Sequence, residues 1–403
     1  MDRALLEQIT DQFGDAFYLL DSEQFKRNFL ELKAAFTDIY PNFNIAYSYK
    51  TNYIPRLCHI VNELGGYAEV VSDMELELAL RLGVEFNRII WNGPYKNAKA
   101  VEHFLVSGGT INLDSAYETE LLRSIAAKYP KHIFRLGLRC NYDIFDKVKS
   151  RFGFDIEDHA FKDALALLQY SDNLHLVSLQ CHYAARSLDT WKFRVEGMLA
   201  LLDRLGIIPE YIDLGGGLFG KMDDSLKVQF DSYIPTYADY ARTIATVFAK
   251  RFHNTKKPPQ LLIEPGSALV GDCMKFVCKV INIKTVRDKA IATLLGSVYN
   301  INPTLNKKNP PIKIYACGNE QKAYQDLDFG GFTCIESDYL YRHYDGMLAV
   351  GDLVVFNNVG SYSIVLKPPF ILPNFPVLDI GRKQIEIIKH GECFDDLFHT
   401  FVF

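Results

Sequence analysis

No two of the eight cysteines stand two residues apart; they are scattered from Cys58 to Cys393, so no CxxC pair suggests a zinc ribbon or a thioredoxin-like centre. A large chain that starts without an export signal has little use for a disulfide framework, and most of these thiols are expected to be buried and inert, with no metal bound. Eighteen apolar residues never run uninterrupted, which leaves no membrane-spanning stretch. The opening MDRALLEQITDQFGDAF carries acidic residues and lacks the basic flank and apolar run of a signal peptide, so a cytoplasmic protein is expected. Like charges form no block or tail and the formal net charge is −5, so neither nucleic acid nor a membrane surface is expected as a partner. Internal repeats and low-complexity linkers are also missing.

What is present is length, 403 residues with 48% hydrophobic content, enough for a barrel of about 250 residues and a smaller domain. Eight short β-rich runs recur: NIAYSYK (44–50), YAEVV (67–71), RIIWNG (88–93), TINLD (110–114), FRLGLRC (134–140), HLVSLQCHY (175–183), YIDLGGG (211–217) and QLLIEPG (260–266). Segments between them, such as IPRLCHIVNELG and DMELELALRLG, carry apolar residues at helical spacing. Strands alternating with helices imply parallel βαβ units, and runs without polar alternation suit a sheet covered on both faces. The expected fold is α/β, a (β/α)8 TIM barrel over residues 22–268. From 269 to 403 the texture turns to β-branched and aromatic stretches broken by Pro, Gly and Asn, which predicts an all-β C-terminal domain that residues 1–21 join.

The notable polar motifs of the first part fall at the C-terminal ends of these runs, where barrel enzymes assemble their sites. Lys50 ends the first run among apolar and aromatic neighbours, where burial depresses an amine's pKa and favours a Schiff base with an aldehyde. A solvated lysine at a strand end is the other reading of that position. DLGGGLFG brings bare backbone to a strand end, suited to a phosphate or simply to a tight turn. Glu264 in EPGSALV suits either a salt bridge or the nitrogen of a pyridine ring. His182 in CHYAARS suits ring stacking or plain packing, and Arg139 in LRCN is available to a cofactor oxygen. Five strand ends thus supply an amine, a phosphate cradle, an acid, an imidazole and a cation.

AYSYKTN, AEVVSDMEL, RIIWNGPYK, DLGGGLFG and EPGSALV, together with TCIESDYL and VGSYS, resemble the motifs of the alanine-racemase-fold decarboxylases, the family of diaminopimelate, ornithine and arginine decarboxylases. The likeness is nearly full-length. It implies pyridoxal 5'-phosphate held by Lys50, Arg139, His182, Gly215, Gly216, Gly217, Glu264, Gly266 and Tyr362. It also implies that Cys334 returns a proton to the substrate carbon after carbon dioxide leaves, and that two copies form a homodimer with each site shared across the interface. The chain departs from the pattern at Ala185, where the family has a serine, which passes the phosphate contact to Ser187, and at Ser267, where an arginine is usual.

Further departures bear on a small-molecule amino-acid substrate. In the segment GSVYNINPTLN, Asn302 and Asn306 replace the arginine and tyrosine with which diaminopimelate decarboxylases grip a distal carboxylate. Ile335 follows Cys334 where an acid that meets a distal amine is usual; Glu336 compensates only with a loop shift, and the spacing to Asp338 needs none. These departures point to a capped distal end, reached by Arg186, Lys307 and Lys308, as in the relatives acting on citryl-ornithine or citryl-diaminopropionate in siderophore assembly. Diaminopimelate or ornithine decarboxylation, and action on a carrier-tethered amino acid, are the alternatives. A non-catalytic cofactor-binding relative has no use for both Lys50 and Cys334. A racemase of this fold places arginine, not Glu264, near the pyridine nitrogen.

Overall fold

Because the eight runs are apolar on both faces, they can be buried only by closing on one another inside a shell of helices. In the computed structural model, which describes residues 3–301, 304–305, 307–318 and 320–402, that is what they do. The strands are Phe43–Ser48, Tyr67–Val70, Ile89–Trp91, Thr110–Leu113, Phe134–Asn141, Leu174–Gln180, Tyr211–Asp213 and Gln260–Ile263. Each pairs in parallel with the next. The eighth returns to the first through Leu261↔Phe43, Leu262↔Asn44 and Ile263↔Ile45, closing the barrel. Closure leaves no edge strand and turns all eight C-terminal ends to one mouth.

Local signals start and stop the intervening helices. Ser72 caps Asp73–Arg81 by accepting from Glu75 N, and a Thr236/Asp239 capping box opens Tyr237–Phe252. Ser187 caps Leu188–Leu205, which stops at Gly206 with φ 64°.

By its internal contacts the chain forms two compact units, one of Asn28–Phe219 with Ser232–Ala268, the other of residues up to Arg27, Gly220–Asp231 and everything from Leu269 onward. The second unit carries a mixed sheet separate from the barrel, as the sequence leads one to expect. Its central strand, Met274–Val286, pairs antiparallel with Ala16–Leu20, Lys289–Leu294 and Leu353–Phe356. Leu6, Ile9, Phe17, Leu19, Val277, Leu353, Val355 and Leu378 pack together as a core. Among the described residues, no helix is long and apolar enough to cross a membrane.

Candidate active site

Buried polar residues lie at or within a residue of the C-terminal ends of barrel strands, among them Ser48, Glu69, Asn92, Asn112, Gln180, Asp213 and Glu264. Buried polar atoms need partners, and here they find one another. Lys50 Nζ is 2.6 Å from Glu69 Oε2, which also accepts from Ser48 Oγ at 2.6 Å. Asn92 Nδ2 reaches Glu69 Oε1 at 3.1 Å and Glu264 Oε1 at 2.6 Å, while Asn92 Oδ1 accepts from Asn112 Nδ2 at 2.8 Å. Gln180 Nε2 donates to Glu264 Oε1 at 3.0 Å, and His182 Nδ1 is 3.1 Å from Glu264 Oε2. A continuous polar chain therefore runs from the amine of Lys50 to the acid of the eighth strand.

Charge along it is uneven. Burial pushes Asp213 well above the usual carboxylate range, and the Glu264 charge adds to this. Burial acts on Glu264 in the same direction, but the hydrogen bond of His182 and the nearby charge of Lys50 hold it below the usual carboxylate range. Of the two acids Asp213 is the one that favours the protonated form, and its buried Oδ2 finds no hydrogen-bond partner among the described residues. Burial lowers His182 as well, so its ring is neutral at pH 7. In that form Nδ1 either donates to Glu264 or accepts from Gly216 N, 3.0 Å away, according to tautomer.

The glycine loop is shaped by close approach. A Cβ on Gly216 would meet Glu264 O at 2.6 Å and one on Gly217 would meet Tyr183 O at 2.7 Å, and Gly215 and Gly217 have φ of +70° and +89°. A Cβ on Gly266 would collide with Thr51 Oγ1, directly after Lys50. Arg139 Nη1 is 3.1 Å from Asp114 Oδ1 and Nη2 is 3.5 Å from His182 O, so a buried acid already holds this cation. Ser187 serves as a helix cap, its Oγ accepting from Thr190 N at 3.3 Å. The Arg186 guanidinium lies 5.1 Å from the Phe219 ring centre. Lys50, with a third of its side chain exposed, the ionised Glu264 and the glycine loop fit an aldehyde, a protonated ring nitrogen and a phosphate, so these residues suit pyridoxal phosphate.

Cys334, Ile335, Glu336, Asp338 and Tyr362 belong to the other unit. There Cys334 and Glu336 are exposed, whereas Asp338 is buried. Its carboxylate accepts from Ser297 Oγ at 3.0 Å, Val298 N at 2.7 Å and Thr333 Oγ1 at 2.6 Å, which pins the turn that carries the thiol. Tyr362 has φ 63°, a strained conformation for a side-chain-bearing residue of the kind that gathers at ligand clamps. Asn302 and Asn306 lie outside the described residues. Asp326, Asp328 and His343 converge, but Lys289 already meets both acids, at 2.8 and 3.3 Å, so cations of the chain itself answer that charge.

Glu69, Asn92, Gln180 and Asp213 join the site without a motif that singles them out, and their one signal in the sequence is a polar residue inside or ending an apolar run. Residues 23–271 match the family described as "Pyridoxal-dependent decarboxylase, pyridoxal binding domain". The chain is 26% identical to the diaminopimelate decarboxylase of Methanocaldococcus jannaschii, over 97% of this chain and 92% of that protein. Among solved structures, the diaminopimelate decarboxylase of M. jannaschii superposes with a TM-score of 0.87 at 23% identity, covering 98% of this chain and 94% of the other. The Helicobacter pylori enzyme complexed with L-lysine gives 0.81 at 22%, covering 98% of each chain.

Proposed function

The chain belongs to the pyridoxal-dependent decarboxylases, and from that premise we propose that it removes the α-carboxylate of a diamino acid of the diaminopimelate type. It is a carboxy-lyase whose cofactor is pyridoxal 5'-phosphate, and its substrate is a small molecule. The observation that carries the reading is the polar chain from Lys50 to Glu264. When bound, the cofactor supplies a sink for the electrons left as carbon dioxide departs. Lys50 is the attachment amine, and Glu69, 2.6 Å away, is placed to take the proton an ammonium must lose before it can attack an aldehyde. Glu264, ionised and buried, keeps a ring nitrogen protonated. His182 and Arg139 would meet the cofactor ring and its oxygen, the loop of Gly215, Gly216 and Gly217 would receive the phosphate, and Gly266 lets the eighth strand close against Thr51. Cys334 returns a proton to the substrate carbon, contributed from the partner copy of a cytoplasmic homodimer.

The diaminopimelate type is favoured because curated relatives bearing that name match nearly the whole chain. A second reading, a capped amino acid such as citryl-ornithine or a carrier-tethered one, is favoured by Asn302, Asn306 and Ile335, which bring neither a cation to a distal carboxylate nor an anion to a distal amine. Carbon dioxide release from meso-diaminopimelate, ornithine and citryl-ornithine, compared as kcat/KM, tests both. A clear preference for meso-diaminopimelate supports the first and a preference for the citryl compound replaces it with the second. Racemisation without carbon dioxide release from any of them sinks the decarboxylase reading.

A further inference from the structure

Beneath the glycine loop lies an arginine that touches no solvent. Arg194, on the helix Leu188–Leu205, is 0% exposed and stacks 3.8 Å from the Trp191 ring centre. Its guanidinium donates to four carbonyls of two loops: Leu214 O at 3.0 Å, Gly216 O at 2.6 Å, Tyr183 O at 3.0 Å and Ala185 O at 3.2 Å. Trp191 Nε1 takes Gly217 O at 2.9 Å, and Tyr240 OH takes Arg186 O at 2.7 Å. Cys181 N and Glu264 N take Asp213 O and Gly215 O, each at 2.9 Å. Every carbonyl from Asp213 to Gly217 is thereby turned onto a protein donor.

Carbonyl and amide of one planar peptide unit point in opposite directions. Fixing Gly216 O on Arg194 aims the Gly217 amide away from the clamp, and fixing Gly217 O on Trp191 does the same for Leu218. An anion meeting this loop finds N–H groups with a buried positive charge behind them and no carbonyl oxygen facing it. That matters more here than a hydroxyl would, because Ala185 has none and the Ser187 hydroxyl caps a helix.

We propose that Arg194 is a positioning residue for the cofactor phosphate: with Trp191 it holds the carbonyls of two loops back, and so sets the preference for a phosphorylated over an unphosphorylated pyridoxal. The proposal rests on the reading that the glycine loop holds the phosphate. The test titrates cofactor-free protein with pyridoxal phosphate and, separately, with pyridoxal, following the visible band of attachment to Lys50. Arg194→Lys keeps the charge and loses the fork; Trp191→Phe removes one donor with little change of volume, and decides the matter if the first variant does not fold. Expected is a loss of roughly 10-fold or more in pyridoxal phosphate affinity with pyridoxal affinity within about 2-fold of wild type, the size of effect a lost buried donor produces. Equal weakening of both ligands, or of neither, in a wild type that discriminates overturns the proposal alone. A wild type that binds both equally overturns the phosphate-loop reading and the proposal with it.

Discussion

Asn92 Nδ2 stands 2.6 Å from Glu264 Oε1, and the same amide nitrogen reaches Glu69 Oε1 at 3.1 Å, so one neutral side chain separates two buried carboxylates. Asn92→Asp replaces that donor with a third acid. Like charges and burial raise its folded pKa above the unfolded value, so the variant keeps its stability at low pH and loses it as pH rises through that folded pKa. Expected is a destabilisation of about 2–4 kcal/mol at pH 8 that shrinks at pH 5. Denaturant melts at the two pH values check it; equal losses at both would remove the electrostatic explanation.

Lys50→Ala removes the amine beside Glu69. The purified variant is expected to lack the visible absorbance of a lysine-attached cofactor and to release no carbon dioxide above background. Borohydride reduction of wild type followed by peptide mapping locates the attachment independently, and a labelled peptide without Lys50 refutes the assignment.

Cys334 is exposed within a turn pinned by Asp338. Cys334→Ala is expected to bind cofactor as wild type does and to lose about 10²–10⁴-fold in turnover, the range of one general acid. Unchanged turnover with the thiol gone would rule it out as the proton donor.

Burial raises Glu75 to about 7; the Val71 amide bond opposes this, and the Glu69 charge adds to it. A carboxyl whose folded pKa lies above its unfolded value stabilises the fold at low pH and loses that contribution as pH climbs from about 4.5 to 7. Glu75→Gln keeps an acceptor for Val71 N, 2.7 Å away in the wild type, and cannot ionise. Between pH 5 and pH 8 the wild type should lose roughly 2–3 kcal/mol more than the variant. Parallel pH profiles of the two proteins would show that Glu75 ionises freely.

How much was legible beforehand depends on range. The barrel strands could be read because a strand buried on both faces writes itself as a continuous apolar run, and the glycines and Glu264 could be read because they stand where such runs end. Local rules also carried the helix starts, although Ser187, singled out as a phosphate contact, is placed as a cap by the same short-range chemistry. The polar chain was not legible, since Glu69, Asn92 and Glu264 come from three strands separated by 172 residues between the last two, and only barrel closure makes them neighbours. Arg139 read as available and is found held by Asp114, 25 residues away in sequence. Residue types and the local pattern around each position were determined by the sequence itself; which charge each carries and which partner it meets was decided by the tertiary structure, because both depend on burial and on distances across the barrel that no linear spacing encodes.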